Sequence, residues 1–329
     1  MSVFLTIGAV AAVLAVLVLG VCYLCFRMAF YSENPPVPEG EIPTPEGEIY
    51  DPYRDKMKKW ILEARQLPQE DVSITSFDGL TLRGKFYPYA PDAPIELMFH
   101  GYRGNAERDM SGGVQRCFAL GRSALIVDQR ASGRSEGHVI SFGINERKDC
   151  LKWVEFMVEH FGPDVKIILT GISMGAATVL MASGEKLPPN VVGVLADCGY
   201  SSAKDIMKLV IREMKLPPNL CYPFVKLAAR IYGHFDLEET SPVEAMRKAR
   251  VPIIFYHGEA DDFVPCSMSA EIAACCASPI TVHTFPEAGH GLSYVVDPLR
   301  YERSVYDFLC KIPKVRDKIS EDFVRQLSE

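Results

Sequence analysis

The stretch Gly171-Ile172-Ser173-Met174-Gly175 constrains this chain more than any other. Just before it, Val165 to Thr170 is a short β-branched apolar run that reads as a buried parallel strand. Just after it, Ala176 to Ala182 reads as a helix. G-x-S-x-G between a strand and a helix is a sharp turn that lifts its serine clear of the sheet edge. Such a turn tolerates only small neighbours, hence glycine at 171 and 175. Ser173 Oγ is expected over the carboxyl edge, facing the free N–H groups and positive dipole end of the helix that follows. The bland alternative is a glycine-bounded turn with an idle serine, and the rest of the chain decides between the two.

From Asp71 onward, strand-like and helix-like runs alternate, which predicts a mostly parallel sheet covered on both faces. Val72–Thr75 and Leu80–Tyr87 flank Asp78-Gly79, a hairpin signal. Further strands are expected over 95–99, 124–128, 165–170, 191–196, 252–257 and 281–285. Helices are expected near 106–120, 146–161, 174–184, 267–277 and 298–310. Residues 201–249 interrupt the alternation with a long, apolar, largely helical segment, read as a cap over the carboxyl edge. The charged tail from Lys311 reads as a peripheral helix.

The run from Val3 to Phe26 carries no charge. As a helix it would be about 36 Å long, enough to cross a bilayer with some tilt. A cleaved signal peptide fits less well, because no basic n-region precedes the run and no A-x-A site follows it. A single-pass anchor over residues 1–31 is therefore expected. Arg27, Arg54, Lys56, Lys58 and Lys59 follow the span and no Lys or Arg precedes it, so the positive-inside rule puts the bulk of the chain in the cytoplasm. Residues 32–52 are Pro/Glu-rich and duplicate a heptad, Pro36 to Ile42 and Pro43 to Ile49, which predicts an extended spacer. The main domain is assigned to 53–329, opening with a helix that places Met57, Trp60, Ile61 and Ala64 on one face.

A serine hydroxyl needs a base, and the base needs an orienting carboxylate. In a strand–elbow–helix architecture these follow in chain order, serine, acid, histidine. Of the histidines after Ser173, His234 lies in the cap, His257 ends a strand and His283 is within one. His290 sits in the small-residue loop Glu287 to Gly291 after the last strand, where it can reach over the strand ends. The preceding strand opens into Gly258 to Pro265, where Asp261, Asp262 and Glu259 compete as the acid. The oxyanion would be met by two backbone donors. One is Met174 N–H, after the nucleophile. The other is Tyr102 N–H, in the loop Met98 to Asn105, with the Tyr102 and Arg103 side chains near the substrate. His100 reads as a residue bracing that loop.

With these motifs in view, the chain resembles the α/β-hydrolase superfamily, in the branch of monoacylglycerol lipases and serine aminopeptidases. The resemblance covers about residues 70–310. It rests on His100-Gly101-x-x-Gly104, Asp128 to Ser135, the Gly171–Gly175 elbow, His257-Gly258-x-x-Asp261 with Val264-Pro265, and Gly289-His290. It implies an α/β-hydrolase fold with a helical cap, and a triad of Ser173, Asp261 and His290, the acid being the aspartate of H-G-x-x-D. Ala131 departs from it, where many relatives carry glycine.

The expected reaction is hydrolysis of a carboxylic ester with a hydrophobic acyl group, suggested by the apolar cap. Peptidase, amidase or acyltransferase chemistry would use the same triad. A binding protein on a hydrolase fold is the alternative of another class, since fold does not fix function. Neither cofactor nor metal is implied: the ten cysteines are scattered, and no P-loop or dinucleotide fingerprint is present. A net charge of −7 without any basic block argues against nucleic acid as a partner.

Overall fold

The computed structural model describes residues 2–34, 37, 38, 40–312 and 315. The tail expected as a peripheral helix lies outside the described residues except for Lys311, Ile312 and Val315, as do Pro35, Pro36 and Glu39 of the spacer. The chain opens with α1 (Ser2–Ala29), passes a proline-rich strap, and enters α2 (Arg54–Gln66). A hairpin follows, β1 (Glu70–Thr75) and β2 (Thr81–Tyr87), turning at Gly79 with φ +93°. Then come β3 (Ile95–Phe99), α3 (Ala106–Ala119), β4 (Ser123–Val127), α4 (Glu146–Phe161), β5 (Ile167–Ile172), α5 (Met174–Ser183) and β6 (Val191–Asp197). After β6 lie α6 (Ala203–Glu213), α7 (Pro218–Ile231) and α8 (Pro242–Met246). The chain then returns through β7 (Ile253–Gly258), α9 (Cys266–Ala274), β8 (Ile280–Phe285), α10 (Ser293–Val296) and α11 (Pro298–Cys310).

Among the described residues the strands form one eight-stranded sheet, ordered β1-β2-β4-β3-β5-β6-β7-β8. β1 and β2 pair antiparallel and all later strands run parallel. β3, β4 and β6 are buried along their whole length, as strands covered on both faces must be. One face packs under α4, α5 and α9, with Trp153, Met181 and Ile272 in that core. The other packs under α2, α3 and α11, with Met57, Val114 and Phe308.

The sheet order places the site. From β3 the chain moves outward to β4, then returns to the other side as β5. Phe99, the end of β3, pairs with Gly171 near the end of β5. The loops leaving these two strands part in opposite directions and leave a crevice at the carboxyl edge, where open α/β sheets bind ligands.

α1 is long and apolar enough to cross a membrane from Phe4 to Ala29. Its last third packs on α7. Beyond it, Tyr31 bridges Val139, and Ser32 N–H donates to His138 O at 2.9 Å. The strap, expected as an extended spacer, lies against the domain. Arg65 donates to Glu41 O at 2.9 Å and Arg54 to Thr44 Oγ1 at 3.1 Å. The Pro and Glu content predicts the extended backbone; side chains distant in sequence supply the docking.

Candidate active site

The elbow is built by contact as much as by conformation. Ser173 sits at φ 54°, ψ −115°, between β5 and α5. A Cβ on Gly171 would come within 2.1 Å of Gly175 O, and one on Gly175 within 2.0 Å of Phe99 O. No other residue type fits either position. The strain at Ser173 is of the order of 1–3 kcal/mol, held by the surrounding packing.

His290 and Asp261 meet the serine in a line. His290 Nε2 lies 2.9 Å from Ser173 Oγ, and His290 Nδ1 lies 2.7 Å from Asp261 Oδ2. Asp261 Oδ1 accepts from the Phe263 and Val264 N–H groups at 3.0 and 2.8 Å. Its carboxyl is buried, which alone would raise its pKa. Hydrogen bonds from His257 and His290 win, and it falls to about 2. Asp262 and Glu259 are exposed, and so is His234, far along the chain in the segment after β6. His283 stacks on Tyr256 with ring centroids 5.8 Å apart. Thus Ser173, Asp261 and His290 are brought together and the competing residues are not.

His257 is a partner the sequence reading passed over. Its Nε2–H donates to Val264 O at 2.8 Å and lies 3.3 Å from Asp261 Oδ2. Its Nδ1 is 2.6 Å from Ser269 Oγ. This imidazole braces the acid loop from below. The sequence signal was present, as the histidine of H-G-x-x-D, but its burial was not.

The loop after β3 carries the second oxyanion candidate. His100 is fully buried, with Nδ1 2.7 Å from Gly101 O and Nε2 accepting Gln129 N–H at 3.0 Å. Burial pushes its pKa down, so the ring stays neutral and braces the loop. Gly101 N–H donates to Asp109 Oδ2 at 3.0 Å, and a Cβ on Gly101 would lie 3.6 Å from Ser173 Cβ. Met174 opens α5, where a helical N–H has no partner four residues back. The next residue in the loop, Tyr102, lines the same cavity as Ser173. The side chains of Tyr102 and Arg103 turn away from the serine. Tyr102 Oη donates to Ala29 O at 2.8 Å, and Arg103 donates to Met28 O and Tyr31 O at 2.9 and 3.2 Å.

A cavity of about 360 Å³ opens beside Ser173 and His290. Met57 and Trp60 of α2, Met110 and Gly112 of α3, and Tyr294 near the chain's last helices give it apolar walls. The strap roofs it through Pro45, Ile49 and Tyr50. Burial, then the Cys198 thiol and the Asp109 and Asp261 carboxylates, push the Tyr50 phenol pKa up. No residue of 201–249 lines this cavity, so the apolar content of that segment says nothing about the substrate. Its apolar side chains go instead to α5, to α9 and to α1.

Cys198, Asp261 and His290 offer ligand atoms within 4.8 Å of one another. Asp261 and His290 are already bonded to each other, and burial pushes the Cys198 thiol well up, away from the thiolate a metal needs.

A sequence model of the prolyl oligopeptidase family matches residues 140–315. The chain is 26% identical to protein YqkD of Bacillus subtilis over 247 residues, 74% of this chain and 80% of that one. It is 25% identical to protein bem46 of Schizosaccharomyces pombe over 250 residues, 74% of this chain and 77% of the other. Among solved structures, an esterase of Pyrococcus furiosus, Pf2001, superposes with a TM-score of 0.65 at 20% identity, covering 86% of this chain and 98% of its own. At that identity the likeness is one of fold.

Proposed function

The chain belongs to the prolyl oligopeptidase family, within the α/β-hydrolase superfamily, and from that premise we propose that it is a serine hydrolase cleaving carboxylic esters through an acyl-enzyme on Ser173. The observation that carries this reading is the unbroken line from Ser173 Oγ to His290 to Asp261, opening into an apolar cavity. Ser173 Oγ attacks the carbonyl carbon while His290 Nε2 takes its proton. Asp261 holds the imidazole and stabilises its cation. The oxyanion is received by the Met174 and Tyr102 N–H groups, each such donor being worth about 3 kcal/mol. The alcohol leaves with the proton from His290. Water, deprotonated by the same imidazole, then attacks the acyl carbon and releases the acid. Hydrophobic acyl groups suit the walls set by Trp60, Met57 and Met110.

The family match favours a second reading, cleavage of an amide or peptide by the same groups. One experiment separates them: the full chain in detergent with p-nitrophenyl esters of increasing length and the matching p-nitroanilides, beside Ser173→Ala. Ester turnover that Ser173→Ala lowers by about 10³-fold or more is expected. Turnover of anilides alone would move the reading to amides. Failure of a fluorophosphonate to label Ser173 would sink both and leave a binding protein.

We also read α1 as an uncleaved single-pass anchor with the hydrolase in the cytoplasm, the basic residues after the span supporting that side. Cysteine labelling of intact cells by an impermeant reagent tests it, and outside labelling of the domain would reverse the orientation.

A further inference from the structure

α1 is free for only part of its length. Phe4 to Val21 are exposed, and the first contact with the rest of the chain comes at Leu19. From Leu19 onward the helix is held by the segment after β6. The Tyr232 hydroxyl donates to Leu19 O at 3.1 Å, and the Tyr232 ring meets Tyr23 at 5.4 Å and Phe26 at 5.8 Å. Phe30 packs between Phe142 and Phe235, at 5.9 and 5.3 Å. The stretch from Phe4 to that first contact rises about 22 Å, short of the roughly 30 Å of a hydrocarbon core. The uncharged run continues to Phe26 and ends at Arg27. A bilayer that covers the whole run therefore also reaches residues 19–26, and with them whatever is packed on them. The outer side of this docked part stays apolar, with Val21, Leu24 and Met28 exposed.

What is packed there is α7. Leu220, Phe224, Leu227 and Ile231 recur at i, i+4, i+7 and i+11 and share one stripe. Leu220 is 66% exposed and Leu227 is exposed too. By helical periodicity the stripe lies between the side that carries Tyr232 onto α1 and the side that bears Lys226 and Arg230. Those cations pair with Glu238 at 2.9 Å and Asp236 at 2.6 Å. An apolar stripe flanking a spanning helix and rimmed by cations has the pattern of a helix in a membrane interface.

We propose that α7 is seated in the bilayer beside α1, with the Leu220–Leu227 stripe against lipid acyl chains. The hydrolase then rests on the membrane surface, its site fixed relative to the lipid. This rests on the reading of α1 as a span.

The test uses the full chain in vesicles of phosphatidylcholine with or without brominated acyl chains. Leu220→Trp, Leu227→Trp and Ile280→Trp are compared, Ile280 being exposed at the amino edge of the sheet, opposite the edge α1 meets. Emission added at 220 and 227 is expected to fall about twofold or more on bromination, and that added at 280 to stay unchanged. Equal quenching at all three positions, or at none, overturns the proposal. Blue-shifted emission at 220 without quenching also overturns it, because a protein surface, a second copy included, then covers the stripe. Alkaline carbonate extraction of the same membranes separates the two readings. Protein retained in the pellet but unquenched at 220 and 227 loses only the α7 seat; protein extracted into solution loses the span, and the seat with it.

Discussion

Asp261 and Asp262 are neighbours in sequence with opposite surroundings. Asp261 is buried and accepts two backbone N–H groups and the His290 imidazole, with His257 Nε2 3.3 Å away, while Asp262 is exposed. Asn at 261 is expected to lower kcat by about 10⁴-fold, because an amide leaves the imidazole in the wrong tautomer. Asn at 262 is expected to change it by less than about threefold; ester kinetics on the two variants check this, and the reverse order would move the acid by one residue. His290 and the elbow were legible because glycines, a loop position and chain order leave few options. The choice between adjacent aspartates was not, since it depends on which carboxylate the turn folds inward. It took the family resemblance to favour 261. Ala131 shows the converse. Its φ of +58° is a glycine conformation, and the structure keeps it with a buried Ala whose N–H donates to Glu136 O at 2.9 Å.

Among the elements, β3 and the strap hold what periodicity could not reveal. Ile95-Glu96-Leu97-Met98-Phe99 reads as an apolar strand, yet Glu96 is fully buried. It pairs with Arg116 and with Arg122 at 3.0 Å, and accepts from Thr170 Oγ1 at 2.9 Å. Burial would raise its pKa, but the two guanidinium groups hold it down. Glu96→Gln would leave two buried cations without a counter-charge, and a loss of about 3–5 kcal/mol in urea unfolding is expected. A single charge within a strand gives no hint of its partners until the helix beside it is placed. The strap is the second case. Its composition predicts an extended chain and says nothing about where that chain lies, and here it roofs the cavity. Tyr50→Ala should open the roof, shift the ester optimum to longer chains and raise KM for short esters, with kcat for the acetate within about threefold. An unchanged chain-length profile would remove Tyr50 from the pocket wall.

For the whole molecule, the mostly parallel sheet, the hairpin and both helical layers followed from alternation and apolar runs, because burial on two faces leaves little choice of residue; the order of the strands in the sheet did not. Docking between distant segments did not follow, because it rests on pairs such as Arg65 with Glu41 O and Tyr232 with Leu19 O. The site also contributes to acid stability. Asp261 titrates near 2 in the folded chain against about 4 when unfolded, so its ionised form stabilises by about 2 kcal/mol above pH 4. That contribution is lost as pH falls through about 2. The stability gap between the native chain and Asp261→Asn, read by urea unfolding in detergent, is expected to be full at pH 6 and to shrink below pH 4; a gap independent of pH would contradict the depressed pKa. The carbonyls at the carboxyl end of α1, finally, are not idle. Met28, Ala29 and Tyr31 receive the side chains of Tyr102 and Arg103, in the loop whose Tyr102 N–H is the proposed second oxyanion donor. On the proposed mechanism, trimming α1 away would therefore detune the site: the line from Ser173 to His290 to Asp261 survives, so a fluorophosphonate is expected still to find its serine, while the slackened loop is expected to receive the oxyanion less well and turnover to drop. With α1 as the proposed span, a protease that shed the domain from the bilayer would in the same cut turn its activity down.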